Sequence, residues 1–410
     1  MNATYEVYKL TSAGLRESLL MDYQKLDAEL NWSKGSKLSL TGTSLGTVPL
    51  SLGSRIAVDR NMVQIYSGIV TKLSVECEDC VNNVVTWEAE TEGDDIVLGW
   101  RYVFATEDNI SPASISVGED LYDKIPNNNN ENSTRSALDR MLYYIRKHAG
   151  PNAHSSRRLV TVAENDDNSR GEQGRSAYHI RALDNVVEEI GRDSSLRAVV
   201  ATNRSGARVL TIPSPRDRTA SVVVSPEFGN VAGWEKEEKY PKFNACWVIS
   251  GTGETEKNGR TYETRVWVYA EDSESVAKYG RIESVINKND VKIVQEDEDT
   301  PAVTKAEVRK LLEAEARSRL KDAAAVEKWT VTMMETDGCA FMDDWQLGDR
   351  VKCVINGLEF TSQIETVEIE YENGTEIVTP TIGGTENGLF GDLYKMLYGI
   401  DKRLKKEEEK

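Results

Sequence analysis

Two long stretches of the chain alternate apolar and polar residues with a period of two. The first covers roughly residues 31–90 and includes the segments 55–59 and 62–70. Such alternation is typical of strands with one buried face, and short strands about 8–12 residues apart favour a barrel or a sandwich. We predict a turn at 59–61 in this stretch.

The second stretch covers residues 221–383 and has the same strand-like character. Its predicted strands are 222–224, 245–249, 264–269, 329–334, 350–355, 359–364 and 367–371. Asn356 and Gly357 form a pair favoured in two-residue hairpin turns, and Asn373 with Gly374 forms a second such pair.

The region between these stretches changes to a helical period. Four apolar residues predict a helix that Ser133 or Thr134 caps and that runs to about Ala149; they are Leu138, Met141, Leu142 and Ile145. A second helix is predicted over 179–191, ending at Gly191, with Ile180, Leu183, Val186, Val187 and Ile190 on its apolar face. A hairpin over 196–212 completes a small α+β region.

Two further helices are predicted in the last quarter of the chain. One runs from Thr304 to about Ala325, with Glu307 placed three residues after Thr304 as in a capping box. The other is a short amphipathic helix followed by a charged tail over 402–410. Its shared apolar face consists of Leu389, Leu393, Leu397, Ile400 and Leu404. We predict this face as a subunit or partner interface, and packing against its own subunit is the alternative that the pattern leaves open.

The acidic composition of the chain argues against nucleic acid as a stable partner. The 410 residues include 68 acidic and 50 basic side chains, which gives a net charge of −18. Stable nucleic-acid binding is not expected, because affinity for phosphates comes mainly from Lys and Arg. A tube that lets DNA slide through without holding it would benefit from an acidic lining, and the acidic turns of the β regions are the candidates.

The ends and hydropathy of the chain predict synthesis in the cytoplasm. The first ten residues lack the basic start and apolar core of a signal peptide. No stretch approaches the roughly 20 apolar residues that span a bilayer, so no membrane-spanning segment is predicted.

The chain has five cysteines, an odd number that is sparsely spaced: Cys77, Cys80, Cys246, Cys339 and Cys353. Reduced thiols are therefore expected rather than a disulfide framework. Cys77 and Cys80 have CxxC spacing, but a structural zinc needs four ligands, so a turn between strands ending near Val75 and starting near Asn83 is preferred.

The remaining candidate sites have simpler explanations. His148, His154 and His179 do not match a metal-binding pattern. Residues 251–253 (Gly-Thr-Gly) are predicted as a loop rather than a phosphate cradle, and the acidic run 296–299 as a solvated loop rather than a calcium site. No catalytic residue, cofactor or metal is predicted, and the chain is expected not to be an enzyme.

Seven of the eight tryptophans allow two interpretations: Trp87, Trp100, Trp234, Trp247, Trp267, Trp329 and Trp345. Most lie inside strand patterns, where core or interface packing is common. A carbohydrate-binding face is the alternative.

Short motifs spread over most of residues 1–383 resemble the ReqiPepy-type siphophage tail protein family, which is related to baseplate hubs and tail-associated proteins. The N-terminal motifs are residues 35–40, 52–58, 67–70, 87–90 and 98–101. The later motifs are residues 228–231, 241–244, 251–254, 314–317, 345–351 and 364–369. The order and spacing of these motifs carry the resemblance.

The resemblance implies a fold and a set of domains. The fold class is α+β, mostly β, with two tube-like β-barrel domains, a small α+β middle domain, a long helix inserted in the second barrel and a C-terminal amphipathic helix. The boundaries that follow are a first barrel at 1–110, the middle domain at 111–220, a second barrel at 221–383 with its helix at about 304–325, and the helix and tail at 384–410.

The resemblance also implies a role. Three subunits would form a trimeric ring that joins a tail tube to the tip of a virion and lets DNA pass. Implied partners are further copies of the chain, a tail tube or distal tail protein, and a tip, spike or fibre protein, with DNA only in transit. The expected location is the tail tip or baseplate of the virion, after synthesis in the cytoplasm of the bacterial host.

Two other functions stay open at this point. A host-surface glycan-binding tail module would use the tryptophans, and a cell-wall hydrolase of the same particle would need a catalytic constellation that the sequence does not display.

Overall fold

The chain divides into two compact units. A computed structural model describes residues 3–32, 35–104, 123–124, 135–163, 169–174, 176–178, 180–192, 194, 196–257, 260–294 and 303–383. Unit 1 comprises Met1–Glu235 with Thr330–Lys410, and unit 2 is Lys236–Trp329.

Strands dominate both units, as the sequence predicted. The strands are β1 (Tyr5–Leu10), β2 (Arg16–Leu19), β3 (Tyr23–Asn31), β4 (Lys37–Leu45), β5 (Arg55–Arg60), β6 (Val63–Asp79), β7 (Val84–Gly93), β8 (Tyr102–Val103), β9 (Asp123–Lys124), β10 (Thr161–Val162), β11 (Ala177–Tyr178), β12 (Arg181–Ala182), β13 (Val199–Thr202), β14 (Arg208–Thr211), β15 (Val223–Val224), β16 (Val231–Lys239), β17 (Ala245–Ser250), β18 (Gly253–Lys257), β19 (Arg260–Thr264), β20 (Trp267–Glu271), β21 (Glu283–Lys288), β22 (Val326–Met333), β23 (Arg350–Ile355), β24 (Leu358–Glu372) and β25 (Thr375–Ile382). The α-helices are α1 (Ile96–Gly99), α2 (Ala137–His148), α3 (Leu183–Arg192), α4 (Ser273–Tyr279) and α5 (Lys305–Ala323).

One large sheet contains strands from both predicted β regions, whereas β17 to β21 of the second region lie outside it. Its order is β16-β22-β25-β24-β3-β4-β7-β6-β5-β1-β2, with β23 branching from β24 and β15 pairing with β23. The junction is the antiparallel pair β3 and β24, which aligns Glu29 with Glu368. Along the described residues this order is an open path that closes neither region into a barrel.

One face of the central strands forms an apolar layer. In the register, Leu26 of β3 lies opposite Leu40 of β4, which in turn lies opposite Ala89 of β7, and all three are fully buried. Trp87 is also buried, and its indole Nε1 donates to Ser44 Oγ at 2.9 Å. Gly42 lies opposite Trp87 in the register. A glycine is needed there because a Cβ would be 2.4 Å from the Trp87 ring. The alternation in β3, β4 and β7 therefore places one set of side chains inside, as their period of two predicts.

Helices α2 and α3 pack together over a separate apolar cluster of unit 1. The cluster includes Leu138, Met141 and Ile145 of α2 and Val186 of α3. Leu142 belongs to the same cluster, so the four α2 residues with the i, i+3, i+4, i+7 spacing face the core, as predicted.

The ends of both helices differ from the sequence prediction. Helix α2 begins at Ala137, and its cap is Ser136, whose side chain accepts from the Asp139 N–H at 3.1 Å. Helix α3 covers Leu183–Arg192, so it starts later than residue 179 and continues through Gly191. Ile180 is 60% exposed and lies outside the apolar face.

The hairpin turns follow local sequence chemistry. Both Asn-Gly pairs adopt positive φ at each residue, at 50° and 77° for Asn356 and Gly357, which confirms the two predicted turns. The turn predicted at 59–61 is shifted. Asp59 and Arg60 belong to β5 and are buried, and the turn is made by Asn61 and Met62, with φ of 50° and 67°.

Unit 2 contains a three-stranded sheet that α5 covers on one face. Strand β17 is central, with β20 antiparallel on one side and β21 parallel on the other. Cys246 and Val248 of β17 contact a stripe of α5 formed by Val308, Leu312 and Ala316. The capping box of Thr304 and Glu307 is present as predicted.

Candidate functional site

The outer face of the four central strands of unit 1 is acidic. Because side chains alternate along each strand, the residues between the buried ones form three rows across the sheet. Read from β24 through β3 and β4 to β7, the rows are Glu368, Glu29, Lys37 and Glu92; Glu370, Asp27, Ser39 and Glu90; and Glu372, Lys25, Thr41 and Glu88. Lys72 of β6 extends the middle row. We call this surface the acidic face.

Carboxylates outnumber cations on the acidic face. Its eight carboxylates compare with three lysines, and each lysine lies beside a carboxylate of the same face. Lys25 Nζ is 2.7 Å from Asp27 Oδ2, Lys37 Nζ is 3.7 Å from Glu92 Oε1, and Lys72 pairs with Glu90. An open groove of about 490 Å³ runs over the first two rows. The surface therefore offers excess negative charge to whatever it faces.

The acidic face lies on strands β24, β3, β4 and β7, whereas the sequence pointed to the acidic turns of the β regions as candidates for a channel lining. Its signal was present in the sequence as the alternation over 367–372 (Val-Glu-Ile-Glu-Tyr-Glu). Register across β3, β4, β7 and β24 was needed to show that separate acidic positions share one surface.

Buried polar clusters hold unit 1 together. Arg60, Glu376 and Tyr5 meet in the interior, where the Tyr5 hydroxyl donates to Glu376. Asp94 accepts from Ser67 Oγ at 2.7 Å and from the Thr202 N–H at 3.1 Å. The second contact ties hairpin β13–β14 to the residue that follows β7, and the Thr202 N–H also donates to Ser67 Oγ of β6 at 2.9 Å.

An aromatic cluster occupies the face of the unit 2 sheet that α5 leaves open. Trp247 lies at the centre, with ring centroids 5.1 Å from Trp267 and 4.8 Å from Tyr269. Val285 on β21 is opposite Trp247. Trp267 and Val285 are 60% and 59% exposed. Trp87 and Trp345, by contrast, are buried in unit 1, as expected for core packing.

The cysteines divide into two groups. Cys246, Cys339 and Cys353 are free and buried, and burial raises the pKa of the Cys353 thiol to about 12. Cys77 and Cys80 are joined as a disulfide, so the expectation of reduced thiols is wrong for this pair. Cys77 lies in β6 and Cys80 directly follows that strand, so β6 continues past the predicted end near Val75 and the turn before β7 covers residues 80–83.

The histidines have separate environments. His148 is buried, and its Nε2 lies 2.8 Å from Asp123 Oδ2. Burial lowers the pKa of His148, whereas the hydrogen bonds from His148 and Lys147 lower the pKa of Asp123 although its own burial opposes this. His154 is exposed and contacts Ser156, and His179 lies outside the described residues.

Several predicted positions lie outside the described residues. They are the acidic run 296–299 and the C-terminal face of Leu389, Leu393, Leu397, Ile400 and Leu404. Within the described ranges, no group of three or more His, Cys, Asp or Glu side chains could hold a metal ion. The described helices are also too short or too polar to cross a membrane.

Comparison with solved structures finds one tail protein with a similar fold and two with lower TM-scores. The 43 kDa tail protein of prophage MuSo2 from Shewanella oneidensis has a TM-score of 0.53 at 12% identity, covering 93% of this chain and 98% of that chain. The tail protein from Neisseria meningitidis MC58 has a TM-score of 0.49 at 10% identity, with 94% and 98% covered. Prophage tail protein gp18 from Listeria monocytogenes EGD-e has a TM-score of 0.46 at 10% identity, with 97% and 99% covered.

Comparison at the level of sequence gives the family. No curated protein matches the chain. The model of the family described as Siphovirus ReqiPepy6 Gp37-like protein matches residues 51–384. Because this match covers well over half of the chain, the protein belongs to the Siphovirus ReqiPepy6 Gp37-like family of phage tail proteins.

Proposed function

We propose that this protein is the structural hub of a phage tail or tail-like particle, in which three copies form a ring between the tail tube and the tip and DNA passes through the ring. Membership of a tail protein family supports a structural, non-enzymatic role. The fold shared with the MuSo2 tail protein over 93% of this chain is consistent with it.

The observation that carries the proposal is the pairing of β3 with β24. It joins strands from both β regions into one continuous sheet with a buried apolar side and an acidic side. A ring protein needs such a surface, because one side must pack against protein while the other faces a channel.

We further propose that the acidic face lines the channel. Phosphates repel carboxylates, so DNA would find few favourable contacts on the rows headed by Glu368, Glu370 and Glu372. A lining of this kind lets a polyanion slide without holding it. Contacts with the tail tube and with a tip, spike or fibre protein would then fall on the two rims of the ring.

Cryo-electron microscopy of the tail tip of the particle tests this proposal. The expected result is a threefold ring around a continuous lumen, with Asp27, Glu90 and Glu370 pointing into it. A peripheral position for the chain, or an arrangement that does not close, would overturn the hub assignment. A closed ring with the acidic face pointing outward would retain the hub and reject the lining.

A second candidate function is favoured by the aromatic cluster of unit 2. Half-exposed tryptophans beside polar side chains are suited to stacking against sugar rings. Quenching of tryptophan fluorescence by host cell-wall sugars would support a glycan-binding module, provided that Trp267→Ala removes it and Trp100→Ala does not. Trp100 is a matched control because it is 48% exposed and lies in unit 1.

A further inference from the structure

Strand β20 presents an open edge. Among the described residues it pairs only with β17. The Ser250 N–H donates to the Val266 carbonyl at 2.8 Å, and the Asp272 N–H donates to the Asn244 carbonyl at 2.9 Å. In an antiparallel pair such bonds recur at every second residue, so Val268 and Ala270 bond to β17. The N–H and C=O groups of Trp267 and Tyr269 consequently point away from the sheet.

Helix α5 places a basic stripe along this edge. Lys305, Arg309, Glu313 and Arg317 follow one another at intervals of four residues and therefore share one side of the helix. The adjacent stripe of Val308, Leu312 and Ala316 holds the helix on the sheet. The position of the basic stripe is thus fixed by packing.

A groove of about 660 Å³ separates the edge from the helix. Its lining consists of Arg265, Val266, Trp267, Val268, Tyr269, Ala270, Lys305, Arg309, Glu313 and Arg317. Four of these side chains are cationic, and the single carboxylate, Glu313, is already engaged by Arg309 Nε at 2.8 Å. A local excess of positive charge is notable in a chain with a net charge of −18.

We propose that this groove binds an extended acidic segment of another tail protein, which adds as a strand to β20. The segment's backbone would bond to the outward groups of Trp267 and Tyr269. Its side chains would alternate between two surroundings. Acidic residues would face Lys305, Arg309 and Arg317, and apolar residues would lie beside the ring of Trp267. This docking surface is independent of whether the chain forms a ring.

Nucleic acid fits the groove less well than a polypeptide does. A backbone with unpaired N–H and C=O groups at strand spacing is complementary to another polypeptide backbone. The acidic surface elsewhere on the chain would repel a polyphosphate. Charge complementarity and the open edge of β20 together favour an acidic peptide as the ligand.

Peptide binding to the full chain provides the first test. The probe is a fluorescent peptide in which Glu and Val alternate, and its control is the same design with Lys in place of Glu. Fluorescence anisotropy should show binding of the Glu peptide that weakens as salt rises, and at least about tenfold weaker binding of the Lys peptide. Equal binding of the two peptides would overturn the proposal.

Two pairs of variants separate the backbone contribution from the charge contribution. Tyr269→Pro removes an outward N–H without removing a bond to β17, whereas Tyr269→Thr loses the same ring and keeps the N–H. We expect Tyr269→Pro to bind roughly two- to tenfold more weakly than Tyr269→Thr. Arg317→Glu should weaken binding, and Lys310→Glu, the same charge change at an exposed position outside the stripe, should not.

The outcomes distinguish the possible occupants. Circular dichroism confirms that each variant is folded, and if Tyr269→Pro fails this check the Arg317→Glu and Lys310→Glu pair decides. Equal binding by the members of both pairs would reject strand addition at this edge. If light scattering of the pure chain shows self-association that Tyr269→Pro abolishes, a second copy occupies the edge and the proposal of a different partner is wrong.

Discussion

Arg60 and Glu376 form a bidentate ion pair inside unit 1, although 316 positions separate them in the sequence. Arg60 Nε lies 2.7 Å from Glu376 Oε1, and Nη2 lies 3.0 Å from Oε2. Both side chains are less than a tenth exposed. Strands β5 and β25 are not neighbours in the sheet order, so this pair joins two distant parts of a curled sheet.

Glu376→Gln should destabilise the protein by about 3–5 kcal/mol, because it leaves the Arg60 guanidinium buried without its counter-charge. Denaturant unfolding measures the change. The matched control is Glu90→Gln in the exposed pair with Lys72, which should cost no more than about 1 kcal/mol. Replacing both partners with Met should cost less than Glu376→Gln alone. Similar losses for Glu376→Gln and Glu90→Gln would contradict a structural role for the buried pair.

Met62→Gly should stabilise the protein by about 0.5–1 kcal/mol. Met62 has a φ of 67°, a conformation that costs a non-glycine residue about 1–2 kcal/mol, and its side chain is 77% exposed. Glycine relieves this strain, although its greater freedom in the unfolded chain offsets part of the gain. Thermal unfolding is the measurement. The control Val63→Gly, in the adjoining strand, should lower the melting temperature, and a lower value for Met62→Gly would count against a strained turn.

Local features of the fold could be predicted from the sequence, whereas the buried pair of Arg60 and Glu376 could not. Asn356 with Gly357 and Thr304 with Glu307 were predictable because each feature depends on residues a few positions apart. Arg60 follows an acidic residue and precedes an asparagine, so its surroundings resemble a solvated turn. Its burial depends on Glu376, a partner that only the folded sheet brings near.

The acidic face and the basic stripe could likewise be predicted only in their local part. Alternation within one strand revealed which of its side chains share a face. The rows of the acidic face, however, depend on register between strands as distant as β3 and β24. The basic stripe at Lys305, Arg309 and Arg317 is visible in the sequence as a period of four, but its position beside β20 is a result of tertiary packing.

Stability should decrease as pH falls below about 6.5, and His148 should account for part of this slope. Burial lowers the pKa of His148, so the unfolded chain binds a proton at a higher pH than the folded chain does. The stabilising contribution is therefore complete above the unfolded pKa and is lost as pH falls towards the folded pKa. Urea unfolding at a series of pH values measures it.

His148→Gln should flatten this slope by up to about 1.4 kcal/mol per pH unit, the limit for one proton. The control is Asn152→Gln, a substitution without a titratable group at a nearby exposed position, which should retain the wild-type slope. Asp123 contributes in more acidic solution, because its lowered pKa makes the ionised carboxylate stabilising until pH falls through that pKa. An unchanged slope in His148→Gln would refute the assignment.

Asp94→Ala should loosen hairpin β13–β14 from the sheet of unit 1. The Asp94 carboxylate is 1% exposed and accepts from Ser67, Thr202 and Arg208. Its loss removes the acceptor of the Ser67 and Thr202 hydroxyls and the counter-charge of Arg208, at a cost of about 3 kcal/mol. The Thr202 N–H keeps only its bond to Ser67 Oγ, a side chain that Asp94 itself positions. Hydrogen exchange at the Thr202 N–H should become faster.

The matched control for Asp94→Ala is Glu88→Ala, which removes an exposed carboxylate from β7. It should change stability by less than about 0.5 kcal/mol and leave exchange at Thr202 unaffected. Unchanged exchange in Asp94→Ala would show that other contacts are sufficient to hold the hairpin.

The pairing of β3 with β24 also sets an order of events during synthesis. Asn31 and Thr366, which hydrogen-bond across this pair, are 335 positions apart. At about 5–20 residues per second, the ribosome adds the second strand tens of seconds after the first. During that interval β1–β7 can assemble, but the outer edge of β3 has no partner and is open to other chains. The nascent protein therefore spends most of its translation with its central seam unpaired, and the arrival of β24 protects that edge from aggregation.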